Sequence, residues 1–267
     1  MLKARVLTAL LLLPVVLAAL FLLPSHYWAW STLAVTLIGA REWAAISGYS
    51  RFQSGLYLLL TLSIGAVLMP ETSRSIELPI YVAAALFWIV LAPLWLRNKW
   101  QGRSPVIMAL TGWLILIPTW LALVRLREIS PGLLLGLVMV VWIADSAAYF
   151  AGRRFGKHKL APSISPGKSW EGVAGGFLGV SLYGIAWAAW DDSAAPFRSG
   201  LPGGLLLLWL LTVFSILGDL FESWMKRVAG LKDSGRLLPG HGGILDRIDA
   251  LTAALPMAAV CLFLIKY

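Results

Sequence analysis

Nine long runs of mostly apolar residues constrain this chain more than any other feature. They lie near 6–23, 28–47, 56–69, 78–96, 105–124, 132–150, 172–190, 205–225 and 248–266. A bilayer core of ~30 Å is crossed by about 20 such residues in a helix. The pattern predicts an all-α, polytopic membrane helix bundle of about nine transmembrane helices. The third run is short and flanked by Ser54-Gly55 and Pro70, so it reads as tilted or as the partner of a re-entrant piece. The first follows Lys3 and Arg5 in the manner of a signal peptide, but Leu23-Pro24-Ser25-His26 offers no small-x-small cleavage site, and it is read as a retained helix. Neither repeats nor low-complexity linkers interrupt the chain, so residues 1–267 read as a single integral membrane domain.

Composition supports this reading. Hydrophobic residues make up 59% and charged residues 13%, against ~25% charge in soluble domains. The net charge of +9 sits in short loops between apolar runs and lacks the spread of a nucleic-acid-binding face, so no nucleic acid partner is expected. One cysteine, Cys261, excludes a disulfide framework, and with only His26, His158 and His241 beside it a Cys/His zinc site is not expected. With nine spans and a cytoplasmic N-terminus, seventeen Lys and Arg fall on the cytoplasmic side and five outside, the asymmetry that orients membrane proteins. This arrangement places the two most polar segments, 151–171 and 226–247, together on the cytoplasmic face.

The chemistry concentrates in a half that runs from about 132 to 267. Asp145 stands about one turn inside the cytoplasmic end of the sixth run, where an intramembrane carboxylate signals function or an ion pair with Arg153 or Arg154. The loop that follows mixes cations, hydroxyls and glycines, a composition suited to phosphate. Lys168, flanked by Ser165 and Ser169, is its best candidate ligand. Gly167-Lys168-Ser169 imitates the end of a P-loop, but Pro162 stands where the first glycine is required. Gly172, Gly175, Gly176 and Gly179 share one helical face and predict close helix packing.

Farther on, Asp219, Glu222, Ser223 and Lys226 share one face at i, i+3, i+4 and i+7. A glycine-rich loop of 232–243, whose glycines would allow close backbone approach to a ligand, leads into Asp246 and Asp249. These two lie in the first turn of the last run, where N-capping is the simpler alternative. Carboxylates without histidine or cysteine are ligands for a hard cation such as Mg²⁺. The interleaved Lys226, Arg227, Lys232, Arg236 and Arg247 suit a polyphosphate. Together they point to metal-assisted phosphoryl or nucleotidyl transfer.

These residues carry a resemblance. Ser223-Trp224-Met225-Lys226-Arg227, Lys232-Asp233, Gly235, Pro239, His241-Gly242-Gly243 and Asp246-Arg247-Ile248-Asp249 reproduce without a break the signature of the phosphatidate cytidylyltransferases, or CDP-diacylglycerol synthases. The segments Asp145–Tyr149 and Ser163–Gly172 are similar to the same family. The resemblance implies a multi-pass enzyme of the bacterial-type inner membrane, its site facing the cytoplasm. It would join CTP and phosphatidate into CDP-diacylglycerol and pyrophosphate, in contact with membrane lipid. It also implies Mg²⁺, with room for a second cation, and a homodimer. By motif position it makes Asp219 and Asp246 the metal carboxylates, with Glu222 a further candidate. Lys226, Arg227 and Asp145 join them in catalysis, while Lys168, Ser165, Ser223, Lys232, Asp233, His241, Gly242, Gly243, Arg247 and Asp249 are left to bind substrate. Two rivals stand beside it: an ion-coupled transporter, since intramembrane acids also mark ion paths, and another lipid-phosphate nucleotidyltransferase.

Overall fold

The computed structural model describes residues 2–69, 76–191, 194–237 and 242–264. Among them nine helices follow in order: α1 (Leu2–Leu22), α2 (Ser25–Ile46), α3 (Arg51–Val67), α4 (Glu77–Arg97), α5 (Pro105–Ile129), α6 (Pro131–Phe155), α7 (Trp170–Trp190), α8 (Leu201–Val228) and α9 (Leu245–Leu264). The all-α membrane bundle is therefore what forms. Six of the helices, α4 to α9, are long and apolar enough to cross a membrane by length and composition. α3 has 17 residues, which at ~1.5 Å per residue gives about 26 Å, and α2 carries Arg41 and Glu42.

Contacts at the helix ends show that the helices alternate in direction. At one end Arg127, closing α5, donates to the carbonyls of Leu20 and Leu23 at the close of α1. Arg125 there grips Glu77 at the start of α4, with Nε 2.7 Å from both carboxylate oxygens. At the other end the Tyr49 hydroxyl before α3 donates to Pro105 O at the start of α5, 2.6 Å away, and Trp224 Nε1 near the close of α8 donates to Trp100 O after α4, at 3.0 Å.

Two helix pairings set the site. α6 and α7 meet along a stripe of small residues. A methyl group at Gly172 would fall 2.9 Å from Ala148 O, one at Gly176 3.1 Å from Ala144 O, and one at Gly175 would collide with Ala151 Cβ. This is the close packing that the glycine spacing predicts, driven in lipid by backbone approach and dispersion. α8 is seated by aromatic rings. Pro93 has no N–H to give Ile89, and the preceding turn, Phe87–Leu91, widens into a π-turn in which Ala92 N–H reaches Phe87 O. The widened turn presents Phe87 and Trp88 edge-on to Phe221, with ring centroids 5.3 and 5.7 Å away, and Trp95 adds a third edge at 5.6 Å. Because Phe221 precedes Glu222, this clamp fixes which way the acidic face of α8 points.

Tryptophan indoles bind α2 to α5. Trp43 donates to Met108 O at 2.8 Å, Trp120 to Ala29 O at 3.0 Å and Trp28 to Leu123 O at 3.1 Å. Buried hydroxyls on Thr32, Thr36, Thr61, Thr119 and Thr212 bond carbonyls of their own helices, so few polar groups reach the apolar surroundings unpaired. Between α6 and α7 the sequence predicts only a loop, yet a short antiparallel hairpin forms, β1 (Lys159–Ala161) with β2 (Ser165–Ser169). Glu171 accounts for it. Its carboxylate accepts from the backbone N–H of Lys157 at 3.1 Å and of His158 at 3.2 Å, and contacts His158 Nδ1 at 2.6 Å, tying the hairpin's entry to its exit.

Candidate active site

The hairpin brings one end of the site. Ser169 caps α7 through Gly172 N–H at 3.2 Å, and the residue before it, Lys168, reaches across to α8. Its Nζ lies 2.6 Å from Asp219 Oδ2. The other oxygen, Oδ1, accepts from the Ser223 hydroxyl one turn along, at 3.1 Å. Asp145 on α6 is exposed and lies within electrostatic reach of Asp219 and Lys168. The alternative ion pair with Arg153 or Arg154 does not form: Arg153 donates to the Tyr149 hydroxyl at 3.2 Å, and Arg154 lies 5.8 Å over the Phe155 ring.

Lys226 holds the second cluster. Its Nζ is 2.5 Å from Glu222 Oε2 and 2.5 Å from Asp246 Oδ1, with all three side chains largely buried. Gly218, beside Asp219, lets α9 approach α8, since a methyl group there would sit 2.5 Å from Asp249 O. Half-buried Asp249 thereby comes within electrostatic reach of Asp219, Glu222 and Lys226, and Glu222 interacts with both Asp219 and Asp246. Apart from the Lys226 ammonium beside Oε2, the buried oxygens of Glu222 have no hydrogen-bond donor.

Asp246 is not the cap of α9. Its Oδ2 accepts from Ser234 N–H at 2.9 Å and Gly243 N–H at 2.8 Å. The helix start is capped by a residue from far away: Glu42 of α2 accepts from Ile244 N–H at 3.0 Å, Leu245 N–H at 2.7 Å and the Ser234 hydroxyl at 2.9 Å. Two loop glycines, Gly235 and Gly243, pack on the Glu42 carboxylate too closely to admit a side chain. Gly242 adopts φ +79°, a left-handed turn natural to glycine. Glu42 stands outside the signature, and the sequence signal for it is that an acid sits inside an apolar run.

The remaining candidates separate by exposure. Lys226 is buried, whereas Arg227, Lys232, Asp233 and Arg247 are exposed at the same end. Ser165 opens β2 opposite Ala161. His241 lies outside the described residues. Among the described residues no three Asp, Glu, His or Cys side chains form a ready metal cage, and lysines stand against Asp219, Glu222 and Asp246. Carboxylate oxygens are nonetheless the donor type that a hard cation takes. Five carboxylates (Asp145, Asp219, Glu222, Asp246, Asp249) lie within electrostatic reach of the two ammonium groups of Lys168 and Lys226.

The cluster occupies one end of the bundle, which does not suit a transporter with access from both faces. Fold and site together define a membrane-embedded helix bundle with a charged polar site at one end. The chain belongs to the cytidylyltransferase family, whose profile matches residues 3–265. It is 42% identical to the phosphatidate cytidylyltransferase of Pseudomonas aeruginosa over 274 residues, covering 98% of this chain and 97% of that protein. To the phosphatidate cytidylyltransferase of Haemophilus influenzae it is 36% identical over 287 residues, covering 99% and 100%. A Brucella suis protein of the same name is 52% identical over 118 residues, 44% of this chain.

Proposed function

We propose that this protein joins phosphatidate to CTP, giving CDP-diacylglycerol and pyrophosphate for phospholipid synthesis. The observation that carries the reading is the Lys168–Asp219 contact. It joins the hairpin of the first polar segment to the acidic face of α8, which Lys226 ties in turn to Asp246 of the second, giving one charged site at the end of a lipid-embedded bundle, where a lipid phosphate and a water-borne nucleotide can meet. The near-full-length likeness to proteins named for this activity supports the choice of substrates.

In the reaction an oxygen of the phosphatidate phosphate bonds to the α-phosphorus of CTP. The bond from that phosphorus to the bridging oxygen breaks, and the electrons leave with pyrophosphate. A phosphate monoester has its second pKa at ~6, so the attacking oxygen is already ionised and needs no base from the protein. Lys168 supplies positive charge to the phosphates as negative charge accumulates on the leaving group. Exposed Arg227, Lys232 and Arg247 draw in the polyphosphate, and Ser165, Ser223, Asp233, His241, Gly242, Gly243 and Asp249 complete the binding surface. Asp219, Asp246 and Glu222 would hold Mg²⁺, which when bound neutralises charge on the phosphates. Asp145 and Asp249 add to the same negative field, with room for a second cation.

The site faces the cytoplasm of an inner membrane in this reading, with the N-terminus on the same side, and the chains pair as a homodimer. Supplying the purified protein with phosphatidate and each labelled nucleoside triphosphate in turn tests the chemistry. Labelled CDP-diacylglycerol from CTP alone is expected. Equal use of other triphosphates, or no lipid product, rejects it.

A further inference from the structure

We propose that Glu42, in the half of the chain remote from the signature, is a positioning residue for the Asp246 carboxylate, an inference that rests on the active-site reading above. Glu42 is buried, and its carboxylate is surrounded by donors from the signature loop: the Ser234 hydroxyl, Ile244 N–H and Leu245 N–H. Two of these are among the first N–H groups of α9, which no residue within the helix can satisfy. An anion suits the positive end of that helix. Glu42 therefore caps α9 from some two hundred positions away.

Ser234 relays the effect. While its hydroxyl donates to Glu42, its oxygen accepts from Asp246 N–H at 3.3 Å and its own N–H donates to Asp246 Oδ2 at 2.9 Å. Gly243 N–H holds the same Oδ2 at 2.8 Å. Both backbone donors thus occupy Oδ2 and turn Oδ1 toward Lys226 and the acidic cluster. The tight packing of Gly235 and Gly243 on Glu42 means that the loop closes around this carboxylate. Without its charge, the donors would have to turn elsewhere and Asp246 would lose its fixed orientation.

In Glu42→Gln one oxygen becomes an NH₂ group that faces backbone donors. Steady-state kinetics with both substrates and amide hydrogen exchange over 242–248 test the idea on the full-length protein in detergent. The expected outcome is a kcat lowered by about 10- to 100-fold, as for partners that orient a reactive ligand, with an unchanged KM for phosphatidate. Exchange at 244–246 should quicken while the global melting temperature holds. Ser234→Ala should move the same readouts, and the double variant should be no worse than Glu42→Gln. Wild-type kcat with protected amides, or losses that multiply in the double variant, overturn the inference. If Glu42→Gln does not fold, Ser234→Ala decides alone: a fall in kcat with faster exchange at Asp246 supports the relay, and wild-type behaviour refutes it. Asp246→Asn separates the two levels. Full activity in that variant would remove the active-site reading itself, whereas its inactivity beside a normal Glu42→Gln would remove only the role of Glu42.

Discussion

The ammonium group of Lys168 lies 2.6 Å from Asp219 Oδ2, so a residue of the α6–α7 hairpin and one of the eighth helix share a single ion pair. It commits both segments to one site. Asp219→Asn keeps the shape and removes the charge, and Asp246→Asn does the same on α9. Each should cost at least ~10²-fold in turnover, the scale of losing one group aimed at transition-state charge, while the protein still inserts and purifies. A chelator should likewise stop the wild type and Mg²⁺ restore it. Near-normal CDP-diacylglycerol formation by either variant at saturating Mg²⁺ would reject the assignment.

Lys226 and its neighbours in the signature should part company. Sequence reading groups Lys226, Arg227 and Lys232 as phosphate ligands, but Lys226 is buried between Glu222 and Asp246. Removing one partner of a buried ionic group costs about 3–5 kcal/mol, so Lys226→Met should lower the melting temperature as well as activity. Arg227→Ala and Lys232→Ala, both at exposed positions, should leave melting unchanged and raise KM for CTP, more so at low salt. Equal melting temperatures in all three variants would contradict this division.

The α6–α7 seam offers a test by exchange of volume. A methyl group at Gly175 collides with Ala151 Cβ, so Gly175→Ala should destabilise by about 1–3 kcal/mol, the usual cost of overpacking. Adding Ala151→Gly should return most of it. Thermal melts of the single and double variants decide, and an unaffected single variant would mean that the helices do not meet along this stripe.

What the sequence made legible was whatever is local. Apolar runs placed the helices within a few residues, the glycine spacing at 172–179 located the closest seam, and the i, i+3, i+7 pattern put Asp219, Glu222 and Lys226 on one face. What it concealed depends on partners far along the chain. Glu42 meets Leu245 across about two hundred residues, and nothing in its neighbours Arg41 and Trp43 announces that. Lys226 reads as one of several loop cations because burial is settled by α9 packing against α8. The hairpin at 159–169 carries no alternating strand pattern, and Glu171 braces it through contacts to Lys157 and His158 that no local spacing announces.

Orientation in the membrane is the remaining consequence of the charge count. With nine crossings, seventeen of the twenty-two Lys and Arg residues would fall on the side of the two polar segments, and the ion pairs Lys168–Asp219 and Lys226–Asp246 place those segments at one end of the bundle. They must then share one side of the membrane, and the positive bias predicts that side to be the cytoplasm. Single cysteines in a Cys261→Ser background can read this. Ser163→Cys in the hairpin and Arg236→Cys in the signature loop are suitable because both positions are exposed, whereas Ser234 is buried and bonded to Glu42. Both thiols should resist an impermeant maleimide in intact cells and react after lysis. If one labels before lysis and the other only afterwards, the shared site is wrong; if both label before lysis, the site stands and the orientation is reversed.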